Sequence, residues 1–264
     1  MIPKIIHYCW FGNGEMPERD KQNIEKWKIL CPDYEIKRWD ESNYDVNKCL
    51  YMKQAYEEKK WGFVPDYARL DIIYNYGGFY FDTDVELIKN LDILLNEHAV
   101  MGFEATDKIN HGHGFGAEPY NELIKELMEI YDKLCFRNID GSLNLTPSPK
   151  YITDFLKAKG VNLNNTEQRV EGIRILPTEY FCPKNMYSGK VNLTKNTISI
   201  HHFNMSWGDD EKLRRIQKVK KLSKYFGVSA SYNMVEFFDN LQKYGMTKAV
   251  NIIFIKIKRR IDNI

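Results

Sequence analysis

Two aspartates that are one residue apart, Asp82 and Asp84, have the clearest chemical potential in this sequence, and they follow the aromatic run from Phe79 to Phe81. Side chains alternate across a strand, so at a strand end both carboxylates would point the same way. Two negative charges held that close repel each other and lose solvation, and a cation, a shared proton or an exposed edge would relieve both costs, with a divalent metal ion as the simplest answer. Carboxylate oxygens suit Mg²⁺ and Mn²⁺, and Mg²⁺ usually takes only one or two of them, which leaves positions for phosphate oxygens. The spacing therefore predicts a divalent-metal site.

The residues before this pair predict a helix that leads into the strand. Pro65 suits the first position of a helix, and Gly77 with Gly78 suits its end. Asp66 and Arg69 lie three residues apart on this helix and share a face. By themselves they would form an ordinary ion pair, which contributes little on a surface.

The order D-x-x-R, apolar helix, G-G-x-Y and D-x-D resembles the sugar-binding region of family 32 glycosyltransferases, which include the yeast initiating α-mannosyltransferase and, more distantly, the glucosylating domains of clostridial toxins. Residues 2–12 resemble the opening strand of that family, and residues 200–207 resemble its H-x-x-x-x-S-W closing motif. These stretches together span roughly residues 1–210. The central pattern is matched by Asp66, Arg69, Gly77, Gly78, Tyr80, Asp82 and Asp84.

The resemblance implies a role for each matched residue. One carboxylate of the D-x-D pair would coordinate Mn²⁺ or Mg²⁺ and the other would contact the sugar or ribose, with Asp84 favoured as the direct ligand. Asp66 and Arg69 would grip the hydroxyls and the pyrophosphate of the donor, since a guanidinium is a planar fork of donors. Nucleotide contacts are implied for Trp10, Phe11, Gly12 and Tyr80, and closure over the diphosphate for Ser206 and Trp207. Trp10 could instead belong to the core.

Strand alternation separates the two adjacent histidines near the closing motif. Ile198, Ile200 and His202 share one face of a predicted strand, and His201 lies on the other. Because the two isoleucines mark the core side, His201 is predicted to face the polar site, where a neutral imidazole could complete the coordination of the metal. A structural histidine is the alternative.

Strands that alternate with helices predict an α/β fold with parallel pairing. The resemblance implies a nucleotide-sugar-binding domain of the GT-A type, a Rossmann-like mixed sheet flanked by helices, over residues 1–210, and a helical C-terminal appendage over residues 211–264. The glycine-rich segment 110–116 is predicted to be a flexible loop that contacts substrate. The other predicted strands are 2–10, 34–39, 99–104, 174–177 and 197–202, and the other predicted helices are 17–30, 46–60, 120–134 and 149–159.

The composition favours a globular intracellular enzyme. No stretch of about 18 apolar residues is present, so no membrane span is expected, and the N-terminus does not read as a secretory signal. The cysteines are five in number and scattered, which favours neither a zinc site nor a disulfide framework and indicates a reducing cytoplasm.

The charge is unevenly distributed along the chain. Residues 211–264 contain 13 Lys or Arg and 4 Asp or Glu, whereas the whole chain has a net charge of +2. Basic amphipathic stretches suit the anionic inner face of a membrane. The alternative is a helical pair that packs on the domain with solvated basic edges, and nucleic acid is not expected because no recognition motif accompanies the charge. The cations nearest the C-terminus are Lys256, Lys258, Arg259 and Arg260.

The resemblance to family 32 implies a metal-dependent, retaining glycosyltransferase. The donor would be a nucleotide-sugar, with a UDP-sugar favoured, and the acceptor a saccharide or lipid-linked oligosaccharide in surface polysaccharide synthesis such as capsule assembly. Two alternatives come from other classes. A haloacid-dehalogenase-like phosphatase also uses D-x-D, but its motif continues D-x-D-x-T/V, whereas Glu86 stands here. A non-catalytic carbohydrate-binding module would not need the N-terminal nucleotide strand.

Overall fold

The computed structural model of the protein describes residues 1–204, 210–248 and 250–251. These residues divide into two compact units. The first unit contains residues 1–184 and 191–204, and the second contains residues 185–190 and the described residues from 210 onward. In the described part of the chain, no helix is long and apolar enough to cross a membrane.

The first unit is built on a seven-stranded mixed sheet with the order β2-β1-β3-β6-β5-β8-β7, and β4 and β9 form a separate two-stranded sheet. The pairs β1–β2, β1–β3 and β5–β8 are parallel, and the pairs β3–β6, β5–β6 and β7–β8 are antiparallel. The predicted parallel pairing is therefore correct for only half of the sheet. The strands are β1 (Ile5–Cys9), β2 (Glu35–Trp39), β3 (Gly78–Tyr80), β4 (Val85–Leu87), β5 (Ala99–Ala105), β6 (Lys108–Ala117), β7 (Gln168–Val170), β8 (Ile173–Leu176) and β9 (Ser199–His201).

Helices cover both faces of the sheet, and strand alternation divides the core between them. On β3 and just beyond it, Phe79 and Phe81 enter one hydrophobic cluster, which includes Trp27 of the first helix, and Tyr80 enters the other. The predicted α/β class with a C-terminal helical segment is thus confirmed. The helices are α1 (Glu18–Leu30), α2 (Leu50–Glu57), α3 (Pro65–Tyr76), α4 (Glu122–Asp132), α5 (Ser148–Ala158), α6 (Thr178–Phe181) and α7 (Asp210–Tyr244).

The sequence signals at the ends of α3 act as predicted. Pro65 occupies the first turn, where its missing N–H has no helical partner to lose. Gly77 ends the helix with φ 64°, a backbone region that glycine enters without steric cost. The helix is buried along most of its length, including Asp66 and Arg69.

The glycine-rich segment 110–116 is not the flexible loop that the sequence predicted. It lies within β6, and every residue of it is buried. Its glycines are required by close packing, because a Cβ on Gly114 would lie 2.8 Å from Phe81 Cε1 and a Cβ on Gly116 would lie 2.5 Å from Phe79 Cδ1. Glycine therefore marks here the close approach of neighbouring aromatic rings to a strand.

Candidate functional site

Asp82 and Asp84 lie in a tight turn between β3 and β4, just beyond the strand end. The strand ends at Tyr80. The turn is fixed because Asp82 N donates to Gly112 O at 2.8 Å and Val85 N donates to Asp82 O at 3.0 Å. Since β1 and β3 are parallel, their carboxyl ends share one edge of the sheet, where the ligands of open α/β sheets collect.

Helix α1 holds this turn through three side chains. Asp20 Oδ2 accepts from Thr83 Oγ1 at 2.8 Å, and Asn23 Nδ2 donates to Thr83 O at 2.9 Å. Trp27 Nε1 donates to Val85 O at 3.0 Å. Burial, together with the nearby charge of Asp84, raises the pKa of Asp20. The hydrogen bond from the Thr83 hydroxyl therefore replaces part of the hydration that this carboxylate has lost.

Arg69 lies beneath the turn and faces Asp82. Its Nη2 is 3.2 Å from Asp66 Oδ1 and 3.5 Å from Asp82 Oδ1, and its Nε donates to Pro65 O at 3.0 Å. Tyr80 donates its hydroxyl to Asp82 Oδ1 at 3.1 Å, and the guanidinium lies 5.2 Å from the centre of its ring. The side chains of Arg69 and Asp66 are each 5% exposed, whereas that of Asp82 is 32% exposed. The cation is therefore buried, and the carboxylate above it faces outward.

Burial opposes the ionisation of the two carboxylates next to Arg69. Burial raises the pKa of Asp66 to about 7, although Arg69 opposes the shift. Burial also raises the pKa of Asp82, Arg69 lowers it, and the charge of Asp84 raises it further. The repulsion between Asp82 and Asp84 that the sequence predicted is thus present in the structure, and a cation bound to both would relieve it.

Asp84 pairs with His201 across the small sheet. The antiparallel register places Val85 opposite His201, so Asp84 Oδ1 lies 3.4 Å from His201 Nε2. Asn204 N donates to Asp84 Oδ2 at 2.8 Å, and His202 N donates to Asp84 O at 3.0 Å. Burial alone would raise the pKa of Asp84, but His201 and the bond from Asn204 hold it at about 2. The same pair raises the pKa of His201, so this imidazole must lose its proton before it can bind a metal.

Strand β6 forms an uncharged floor under the turn. A Cβ on Gly112 would overlap Asp82 Oδ2 and would lie 2.7 Å from Arg69 Nη1, so any larger residue there would displace these two side chains. His113 is fully buried, with its ring 5.9 Å from that of His201. Burial and the charge of His201 lower the pKa of His113 to about 3, so it is neutral.

The donor set fits Mg²⁺ or Mn²⁺ when phosphate oxygens complete the coordination. Within the described ranges, no three or more His, Cys, Asp or Glu side chains are arranged to hold a metal by themselves. Two carboxylates suffice for Mg²⁺ in a nucleotide site. The side chain of Asp82 is 32% exposed, whereas that of Asp84 is 13% exposed. Asp82 and Asp84 are therefore the residues that would hold the ion, and His201 acts in this structure as the partner of Asp84.

The residues that follow β1 lie at the same edge of the sheet as the turn. Trp10 donates its indole N–H to Gly14 O at 2.7 Å. The ring of Phe11 is buried and packs against Tyr44, so it belongs to the core. Gly12 has φ 96°, and a Cβ on it would lie 2.7 Å from Trp61 Cδ2. An indole therefore lies over Gly12.

Sequence reasoning missed several residues that shape this site. Asp20, Asn23 and Trp27 follow the spacing i, i+3 and i+7, and this polar stripe on a buried helix face was a usable signal. The other residues that were missed are Trp61, Gly112, His113 and Asn204.

Two of the predicted site residues, Ser206 and Trp207, lie outside the described residues.

We expect Thr83→Val to loosen the turn. The change keeps the shape of the side chain but removes the donor to Asp20, which leaves a buried carboxylate with one bond fewer. The expected cost is about 1–3 kcal/mol in the free energy of unfolding, with turnover reduced about tenfold because Asp82 and Asp84 are held less firmly.

Chemical denaturation and steady-state kinetics would measure both effects. Thr166→Val is the matched control, since the Thr166 hydroxyl bonds to Asn164 Oδ1 on the surface. Equal stability and equal turnover for the two variants would show that the bond from Thr83 to Asp20 does not position the turn.

The segment that contains this site matches a known family. Residues 17–101 match the model of the glycosyltransferase sugar-binding region containing the DXD motif. The matched segment includes α1, α3 and the turn with Asp82 and Asp84.

Two proteins of Schizosaccharomyces pombe are similar in sequence. Inositol phosphoceramide mannosyltransferase 1 is 27% identical over 169 residues, which are 60% of this chain and 48% of that protein. Inositol phosphoceramide mannosyltransferase 3 is 37% identical over 103 residues, which are 36% of this chain and 28% of that protein. The chain thus spans about half the length of the first relative and a smaller part of the second.

Solved glycosyltransferase structures are also among those similar to this chain. One is a glycosyltransferase involved in the glycosylation of the major capsid of PBCV-1, with 11% identity, 81% of this chain and 99% of that chain covered, and a TM-score of 0.47. Another is the galactosyltransferase LgtC, which is 12% identical, with 82% of this chain and 95% of that chain covered and a TM-score of 0.40. The predicted resemblance to glycosyltransferases with a D-x-D sugar-binding region is confirmed by this sequence match, which covers residues 17–101 of the chain.

Proposed function

We propose that the protein is a metal-dependent, retaining glycosyltransferase that moves a sugar from a nucleotide-sugar to a saccharide or lipid-linked acceptor. The observation that carries this proposal is the turn with Asp82 and Asp84, whose two carboxylates repel each other above the buried Arg69. The turn lies inside the segment that matches the sugar-binding region. His201 gives Asp84 a structural partner as well, whereas the side chain of Asp82 is 32% exposed and accessible to an ion.

The residues of the site divide the work of glycosyl transfer. Breaking the anomeric bond places negative charge on the departing diphosphate. Asp82 and Asp84 would hold a metal ion there, which would supply Lewis-acid stabilisation of that charge. Arg69 keeps Asp82 ionised and oriented, and Asp66 balances the buried charge of Arg69. The side chains of Asp66 and Arg69 are buried, which leaves little space for a donor sugar to contact them. We therefore propose that they act mainly through Asp82.

The N-terminal edge is proposed to hold the nucleotide. Trp10 and Gly12 follow β1 at the carboxyl edge of the sheet, and the bend at Gly12 lets the ring of Trp61 approach the backbone. Tyr80 acts through its bond to Asp82. Ser206 and Trp207 are proposed to close over the bound diphosphate, because residues 200–207 resemble the closing motif of family 32.

The donor and the acceptor are open within this class. A UDP-sugar is our first choice of donor, and the relatives named inositol phosphoceramide mannosyltransferases make a mannosyl nucleotide the second. Their name also indicates a lipid acceptor, which agrees with a lipid-linked oligosaccharide in surface polysaccharide assembly. We accordingly propose that the protein works at the inner face of the cytoplasmic membrane, which its basic C-terminal segment contacts.

A nucleotide-release assay tests the proposed function. The full chain is incubated with a panel of UDP- and GDP-sugars, with Mn²⁺, with Mg²⁺ or with EDTA, and free nucleotide is measured. We expect release from at least one donor only when the metal is present, and a product that keeps the anomeric configuration of the donor by NMR. Release that is insensitive to EDTA would contradict the metal assignment. Hydrolysis of simple phosphomonoesters without any nucleotide release would favour a phosphatase.

A further inference from the structure

The second unit presents a helical hairpin with an exposed tip. Helix α7 is interrupted at Gly227, where φ is 73° and ψ is 165°, and the chain reverses there. The arms pair in the antiparallel sense, since Arg215 lies 3.8 Å from Asp239. Val219 on the first arm and Val235 on the second are both buried. Two packed arms therefore hold the residues around Gly227 at the end of the hairpin.

Two cations of the first arm, Arg215 and Lys218, pair with acids of the second arm, but the lysines nearer the tip do not. Toward the base, Lys218 Nζ lies 3.1 Å from Asp239, and Arg215 lies 3.5 Å from Glu236. Residues 212–235 contain no Asp or Glu, so the part of the hairpin nearest the tip has no acid of its own. Three exposed lysines near the tip have no ion pair among the described residues, and with Gln217 they line a shallow pocket on one helix face: Lys220, Lys221 and Lys224.

Two aromatic rings project at the tip beside these lysines. Tyr225 is 81% exposed and Phe226 is 56% exposed, and their ring centres are 6.4 Å apart. Exposed large apolar side chains that cluster, rather than scatter singly, indicate an interaction site. Aromatic rings next to lysines are suited to the boundary between lipid headgroups and acyl chains.

We propose that this tip docks on the surface of an anionic phospholipid bilayer, with the lysines on headgroup phosphates and the two rings at the acyl boundary. The inference rests on the proposed function in so far as that function places the acceptor at a membrane. Single-stranded nucleic acid also binds to lysine and aromatic side chains, but its binding sites are grooves that follow the nucleic-acid backbone. A chain reversal between two helical arms offers a projecting end instead, which suits a flat surface.

Vesicle binding by the full chain tests the proposal. Co-sedimentation is measured with vesicles of phosphatidylcholine alone and with added phosphatidylglycerol, at low and at high salt. We expect binding that needs phosphatidylglycerol and weakens as salt rises, because exposed charges are screened. The variant Lys221→Gln/Lys224→Gln should bind about 30-fold more weakly, since each cation near an anionic surface contributes to the partition. The matched control is Lys53→Gln/Lys157→Gln, which removes two exposed lysines of the first unit.

A second variant separates the rings from the charge. Tyr225→Ser/Phe226→Ser should weaken binding about tenfold at low and at high salt alike, because burial of apolar surface is not screened. Its control is Ile29→Ser/Ile139→Ser, which removes two exposed apolar side chains of the first unit. Both tip variants should keep wild-type nucleotide release, since release requires neither the lysines nor the rings.

Several outcomes would overturn the proposal. Wild-type protein that ignores phosphatidylglycerol vesicles at low salt excludes the bilayer as the partner of the tip. Tip variants that bind like their controls would place the membrane contact elsewhere in the chain. Self-association of the wild-type protein that the ring substitutions abolish would show that the tip binds a second copy. Nucleotide release that fails in every preparation would overturn the proposed function, while the vesicle result would stand.

Discussion

Asp84→Asn is expected to reduce metal-dependent sugar transfer about a thousandfold, which corresponds to about 4 kcal/mol of lost transition-state stabilisation. Asp84 is one of the two carboxylates proposed to hold the metal, and its pKa of about 2 keeps it fully ionised at neutral pH. An amide retains an oxygen for the bond from Asn204 but removes the negative charge. The variant should therefore lose metal affinity while its turn stays in place.

Asparagine is a better test than alanine because of His201. The sequence alone suggests that Asp84→Ala would spare folding, since Asp84 adds nothing to the core. The structure places its carboxylate 3.4 Å from the buried His201, so alanine would remove the partner of a buried imidazole. Either change removes the charge that pairs with His201, but asparagine keeps an oxygen that can accept from the imidazole. Alanine would leave the imidazole without that acceptor at an added cost of about 1–3 kcal/mol, which would confuse a loss of activity with a loss of folded protein.

Nucleotide release, Mn²⁺ titration followed by fluorescence and thermal unfolding would be measured together for this variant. Asp107→Asn serves as the matched control, because Asp107 is exposed in the turn between β5 and β6. Retention of more than about a tenth of wild-type turnover by Asp84→Asn, equivalent to a loss below about 1.4 kcal/mol, would contradict the metal assignment.

Gly112→Ala is expected to reduce turnover by about a hundredfold or more and to lower the melting temperature. The added methyl group would overlap Asp82 Oδ2 and come within 2.7 Å of Arg69 Nη1. The turn and the guanidinium would have to move apart, and a displacement of about 1 Å in a catalytic constellation costs about a hundredfold in rate. Overpacking of a tight interior costs about 1–3 kcal/mol in stability.

Gly14→Ala provides the control for this substitution. A Cβ on Gly14 meets no atom within 4 Å, so the same change of residue is expected to leave turnover and melting temperature near those of the wild type. A crystal structure of Gly112→Ala would show the shift of Asp82 directly. If Gly112→Ala and Gly14→Ala had equal turnover, the close approach of β6 to the D-x-D turn would have no bearing on function.

The local sequence determined those features that depend on neighbouring residues. Pro65 and Gly77 set the ends of α3 because their backbone preferences act within one helical turn. The spacing of Asp82 and Asp84 set their repulsion, and strand alternation correctly separated His201 from His202, which bonds to Glu86 instead. The order of the motifs was sufficient to predict the family resemblance that residues 17–101 show, because a motif is itself a local property.

The tertiary structure decided how distant segments meet. The glycines of residues 110–116 predicted a flexible loop, because glycine serves both flexible loops and strands that neighbouring groups approach closely. Only the pairing of β6 with β3 and β5 shows which case applies. Aromatic rings, Asp82 and Arg69 fill the space that side chains on β6 would occupy. The role of Asp20 was likewise hidden, because Thr83 lies 63 positions further along the chain. The sequence by itself therefore determined which groups are the candidates for the chemistry. The residues that hold these groups in place were decided by packing between segments far apart in the chain, which no local sequence pattern specifies.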